Sequence, residues 1–158
     1  MSNLPKPDHA RNMRVVGHSD QGGRPDGVQI MVHRGYAYVG HMFSKGFSVI
    51  DVRDAKNPRA VNFIAAPQNT WTIHLQTHDD LLLVINAKDM FAAAEFADER
   101  AYYSGALGKT VGTAQAKRVR DWSAGLAVYD ISRPENPRLI GFMPVEGGGI
   151  HRVWYTGG

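Results

Sequence analysis

Seven histidines and no cysteine define the chemistry open to this chain. Without thiols, disulfides and thiolate metal sites are excluded, so any bound metal must be held by imidazole, carboxylate or amide groups. Two of the histidines stand in matching contexts: Ile73-His74 and Ile150-His151 each open a short segment of β character. Imidazoles brought together from matching positions suit a divalent transition metal such as zinc, manganese, iron or copper, with nickel as a further candidate. Gln29 holds the corresponding place one unit earlier. His41 closes another β segment, where it would serve as a ligand or a proton shuttle, and Asn86 is its counterpart.

Other arrangements are weaker. His74-x-x-x-His78 has a zinc-like spacing, but on a strand four residues separate the two Cα atoms by about 13 Å. His78, beside Asp79 and Asp80, reads as a turn residue, and so does its counterpart His33. Asp51 and Asp130 recur at the ends of matching segments and are expected to hold turns. Gly147-Gly148-Gly149 precedes His151 as a flexible turn or as a place where a substrate approaches the backbone, and it is not a phosphate loop, since no P-loop Lys-Ser/Thr follows it. Tyr102, Tyr103 and Trp122 are the candidates for an apolar wall against a substrate, with packing of their own segment as the alternative.

The segments that must position these residues form a repeat. Gly46-Phe-Ser-Val-Ile-Asp-Val-Arg-Asp-Ala-Lys-Asn-Pro-Arg59 matches Gly125-Leu-Ala-Val-Tyr-Asp-Ile-Ser-Arg-Pro-Glu-Asn-Pro-Arg138. Upstream, Val28–His41 aligns with Ile73–Asn86, so Gln29 answers to His74, His33 to His78 and His41 to Asn86. Each unit predicts four short strands, about 28–33, 36–41, 47–52 and 60–65 in the first, rich in β-branched and aromatic residues and punctuated by Gly, Asn, Asp and Pro. Four sequential strands in a repeat of this size point to a β-propeller blade. Gln29 to Asp51 spans 22 residues and His74 to Asp130 spans 56, so the second unit carries 34 extra. These lie within about 87–124, and their Ala-rich middle, 90–103, predicts helix.

The expected fold is therefore all-β: a β-propeller of four-stranded antiparallel blades, with a partly helical insertion in the second blade. Residues 1–13 form an N-terminal arm. Residues 14–18 match the fourth strand of a unit, 28–65 and 73–144 are blades, and 150–158 begins another blade. That order is an incomplete portion of a ring. The remaining blades would come from a second chain or from the rest of a longer polypeptide.

The namesake segments, Phe47-Ser-Val-Ile-Asp51 and Leu126-Ala-Val-Tyr-Asp130, each followed by a Pro-containing turn, resemble the LVIVD-repeat family. The resemblance covers nearly the whole chain from about Arg14 and implies the propeller fold. Selenium-binding proteins and methanethiol oxidases are more distant architectural resemblances with histidine-rich propeller faces, and no residue is carried over from them.

A net charge of +3, from 18 basic and 15 acidic residues spread along the chain, gives no basic face for nucleic acid. Residues 1–13 lack the apolar core of a signal peptide, and no stretch approaches the roughly 18 apolar residues of a membrane span. A cytoplasmic location is the resulting expectation. The function expected is that of a metal-dependent enzyme acting on a small molecule. His74 and His151 would hold the metal at a histidine-lined axial site, with His41 catalytic and Gln29, Asn86, Tyr102, Tyr103 and Trp122 lining the substrate site. Hydrolase, lyase and oxidoreductase chemistry are all compatible. The rival expectation is a non-catalytic scaffold that binds a protein or small ligand on its loop face.

Overall fold

The computed structural model describes residues 9–89 and 121–157. Nine strands occur among the described residues, in chain order β1 (Gly27–His33), β2 (Tyr36–His41), β3 (Gly46–Asp51), β4 (Arg59–Ala65), β5 (Thr70–Trp71), β6 (Leu75–His78), β7 (Leu81–Lys88), β8 (Gly125–Asp130) and β9 (Arg138–Pro144). β1 to β4 form one antiparallel meander, and β6-β7-β8-β9 repeats it, with β5 pairing the far end of β7. The repetition extends to irregularities. The β3–β4 ladder slips between Val49 and Ile50, and the β8–β9 ladder slips between the matching Val128 and Tyr129. The two repeated aspartates hold turns as expected: Asp51 accepts the Arg53 amide at 3.1 Å and Asp130 accepts the Ser132 amide at 2.8 Å.

The two sheets stack face to face. Tyr36, Tyr38, Phe47 and Val49 of the first share one core with Leu75, Leu82, Val84, Ala127 and Ile131 of the second. Burying each large apolar side chain contributes about 1.5–3 kcal/mol. Phe47 meets Tyr129 edge-on at 5.3 Å between ring centres. Hydrogen bonds reinforce the stack: the Tyr38 hydroxyl donates to the Pro134 carbonyl at 3.0 Å, and Asn62 Nδ2 donates to the Glu135 carbonyl at 3.1 Å.

The stacking is same-sense rather than mirror-symmetric. Ladder partners share a face of a sheet, so Ala37, Val39, Ser48 and Ile50 lie together on the opposite side of the first sheet from Tyr38 and Val49. Their repeat equivalents are Leu82, Val84, Ala127 and Tyr129, which are the second sheet's residues facing the first. The inner face of one unit thus packs on the outer face of the next. The outer face of the first sheet is left as an apolar groove lined by Val28, Ile30, Ala37, Val39, Ile50 and Val52.

The architecture corrects the expected fold. The described residues are all-β, but neither of their sheets closes into a propeller: β4 and β9 end their sheets, and the stack of the two is open. No helix occurs among the described residues. The predicted helical stretch 90–103 lies outside them, and the flanks of the insertion are strand end at 87–88 and irregular backbone at 121–124. Residues 14–18 and 150–157 resemble strands in sequence but belong to no named strand, because a strand is defined by a ladder partner and neither has a full one among the described residues. No helix among the described residues is long and apolar enough to cross a membrane.

Candidate functional site

Where the first sheet hands over to the second, the backbone delivers His74 onto Gln29. Gln29 in β1 is paired with Gly40 in β2. A Cβ at Gly40 would lie 2.6 Å from the Thr72 carbonyl oxygen and 2.8 Å from that of Ile73, so the bare glycine lets residues 72–73 lie directly on β2. The next two residues then reach Gln29. Its side-chain oxygen Oε1 is 2.9 Å from the Leu75 amide nitrogen and 3.0 Å from His74 Nδ1.

A second close approach delivers His151. Gly149 bridges Ala87 at the end of β7, with φ at 98° and no room for a side chain: a Cβ would come 2.5 Å from the Asn86 carbonyl oxygen. Only glycine combines that conformation with that contact. The Lys88 amide donates to the Gly148 carbonyl at 2.7 Å. Further along, Gln76 and Tyr155 exchange two hydrogen bonds, Nε2 to the Tyr155 carbonyl at 2.6 Å and the Tyr155 amide to Oε1 at 2.9 Å. Residues 150–155 are thereby laid beside β6. The result is that the His74 and His151 rings meet with centres 5.0 Å apart and planes at 69°. Burial, then the neighbouring His151 and Arg152, push the His74 imidazole below its usual pKa and favour its neutral form.

The remaining expected site residues are placed elsewhere. His41 is fully buried with both ring nitrogens engaged: Nδ1 lies 3.0 Å from Asp26 Oδ1 and Nε2 lies 2.8 Å from Ser48 Oγ. By atom type this is an Asp-His-Ser chain, but Asp26 and Ser48 are buried as well, so no substrate carbonyl has access to the serine. Burial pushes the Asp26 carboxyl up, but hydrogen bonds from His41, Ser44 and Phe43 outweigh it and hold the group well below the usual carboxylate range. Asp26 closes the loop at 42–44 by accepting both the Phe43 and Ser44 amides at 2.6 Å. Asn86 is buried and donates from Nδ2 to Ser123 Oγ at 2.9 Å. Trp122 donates from its indole nitrogen to the Gly147 carbonyl at 3.1 Å and lies under the Lys88 ammonium, 4.5 Å from the ring centre. Tyr102 and Tyr103 lie outside the described residues.

The structure therefore brings together Gln29, His74 and His151, and it holds His41, Asn86 and Trp122 in separate contacts. Asp26 and Ser48, the partners of His41, and Gln76, which fastens Tyr155, were not singled out from sequence. Ser48 carried one available signal, since ladder geometry places it on the same face as His41. Among the described residues no group of three or more histidine, cysteine, aspartate or glutamate side chains is placed to hold a metal ion. Among the described residues, what the structure brings together is one pair of imidazoles, His74 and His151.

Comparison with known families matches the LVIVD repeat at residues 26–64 and 119–143. The chain carries LVIVD repeats. The first match spans β1 to β4 up to Ile64, and the second covers β8 and β9 up to Met143, the latter half of the second meander. No curated protein matches the chain.

Proposed function

We propose that this LVIVD-repeat chain binds a divalent transition metal through His74 and His151 and uses it on a small-molecule substrate. The observation that supports the reading most directly is the spacing of the two rings. A zinc-sized ion lies about 2.0–2.1 Å from each ligating nitrogen and hence about 3.2 Å from each ring centre. At a tetrahedral angle two such ring centres are about 5 Å apart, and the observed separation is 5.0 Å. Edge-to-face packing of aromatic rings falls in the same range, so the spacing meets a requirement for metal binding and the measurement below decides it. Two imidazoles leave about two positions of a tetrahedral ion for water, substrate or further ligands. There the metal would polarise an oxygen or generate hydroxide near neutral pH. His41 has no part in this proposal, because both its ring nitrogens are committed in the core.

The test is equilibrium dialysis of the purified chain against zinc and cobalt(II), with the d–d spectrum of cobalt as readout. Stoichiometric binding that is lost in His74→Ala and in His151→Ala, with the far-ultraviolet circular dichroism unchanged, is the expected result. Binding that is absent, or unaltered in both variants, removes the reading.

A second reading, a non-catalytic scaffold, is favoured by the open outer face of the first sheet. Val28, Ile30 and Val32 on β1 are largely exposed beside the buried Ala37, Val39 and Ile50. Such an apolar face is suited to receiving another sheet of the same kind, from elsewhere in a longer polypeptide or from a second chain.

A further inference from the structure

We propose that Gln29 is a positioning residue that sets the tautomer of His74, placing the proton on Nδ1 and leaving Nε2 as the nitrogen free to ligate. Two contacts fix the tautomer. The Leu75 backbone amide points at one atom of the Gln29 side chain, at 2.9 Å. A backbone N–H can only donate, so that atom is the amide oxygen, and the orientation of the Gln29 carboxamide follows from it. The same oxygen lies 3.0 Å from His74 Nδ1. An amide oxygen has no proton to give, so Nδ1 must carry the hydrogen. In the neutral ring the lone pair is then on Nε2.

This inverts the preference of a free histidine side chain, which carries its proton mainly on Nε2. It also has the form of an outer partner to a metal ligand, in which the non-ligating ring N–H is donated to a fixed oxygen that holds the ring and its tautomer. Gln29 comes from one repeat and His74 from the next, so the setting of the ligand depends on the stacking of the two sheets. In the following repeat His74 holds the place of Gln29 and meets His151. An imidazole there replaces the carboxamide, so the two junctions differ in chemistry at one matched position.

The metal role of Nε2 rests on the proposed function, while the tautomer does not, and the experiment separates them. Long-range nitrogen–proton correlation spectra of the uniformly labelled, metal-free chain assign His74. The expected pattern is a protonated Nδ1 and an unprotonated Nε2 in the wild type, with a shift toward Nε2 protonation in Gln29→Leu. Gln29→Glu, which also offers an oxygen to Nδ1, should restore the wild-type pattern. Zinc affinity should fall by about tenfold or more in Gln29→Leu and recover in Gln29→Glu. A protonated Nε2 in the wild type, or a pattern indifferent to Gln29→Leu, overturns the proposal. Wild-type protein that shows the expected tautomer but binds no zinc upholds the positioning role and removes only the metal reading.

Discussion

His74 lies within 3.0 Å of Gln29, although 45 residues of chain separate them. The contact exists because Gly40 lets the incoming backbone settle onto β2. A methyl group there would meet two carbonyl oxygens, neither of which can move without shifting the start of β6. Gly40→Ala should therefore destabilise the chain by about 1–3 kcal/mol through overpacking. It should also weaken zinc binding, because His74 is displaced from Gln29. Thermal denaturation together with the dialysis assay checks both effects. An unchanged zinc affinity would show that residues 72–73 do not set the position of His74.

The Asp26–His41–Ser48 chain predicts a graded series. Asp26→Ala strips acceptors from His41 and from the Phe43 and Ser44 amides. His41 is fully buried and the two amides are half-buried, and a buried donor that loses its acceptor costs about 1–3 kcal/mol, so the loss should exceed that of a single deleted hydrogen bond. Ser48→Ala removes only the partner of His41 Nε2, and alanine already stands at the matching position 127, so about 1–2 kcal/mol is expected. Urea denaturation of both variants gives the comparison, and equal losses would contradict the assignment of Asp26 as the hub.

Asp26 also predicts an acid limb. Its folded pKa is depressed below the ordinary value of 3.8, so between the two values the unfolded chain binds more protons than the folded one and stability rises with pH. The contribution is fully present above about pH 4 and is lost as the pH falls toward the folded value. Asp130, lowered to about 2 by the Ser132 hydrogen bonds and Arg138, acts in the same direction at an exposed site. The diagnostic quantity is thus the difference between wild type and Asp26→Asn across pH 2–5 in urea titrations: the wild type should lose more stability on acidification than the variant.

Ile30 and Leu75 occupy the same position in the two repeats with opposite burial, 59% exposed against 1%. Leu75→Ala should cost about 2–5 kcal/mol, and Ile30→Ala about 0.5 kcal/mol or less. Comparable losses from chemical denaturation would mean that the outer face of the first sheet is covered in solution.

Much of this architecture was legible in the sequence. The β-branched and aromatic residues of 28–33 and 36–41, with the Gly, Asn, Asp and Pro residues that separate the segments, predict strands within one residue of those observed, because strand propensity and turn chemistry are local properties. Matching Gln29 with His74 and His151 drew attention to the residues that the structure places side by side. The partners of His41 were not legible: Asp26 reaches it across a loop, and no local pattern announces a contact of that kind. Nor did the repeat reveal how the stack ends. Similar units pack inner face to outer face whether or not a ring closes, so the repeated pattern is the same in both cases.

One consequence concerns how the junction between the sheets tolerates mutation. The acceptors that the second sheet offers to Tyr38 and Asn62 are main-chain oxygens, of Pro134 and Glu135. Every amino acid carries that oxygen, so the loop can drift in sequence and still be gripped, provided its trace is kept. The donors enjoy no such freedom, since only a side chain of the right reach can replace them. Evolutionary tolerance at this seam is therefore lopsided, and a library randomised on both sides should recover diverse loops but few alternatives to Tyr38 and Asn62.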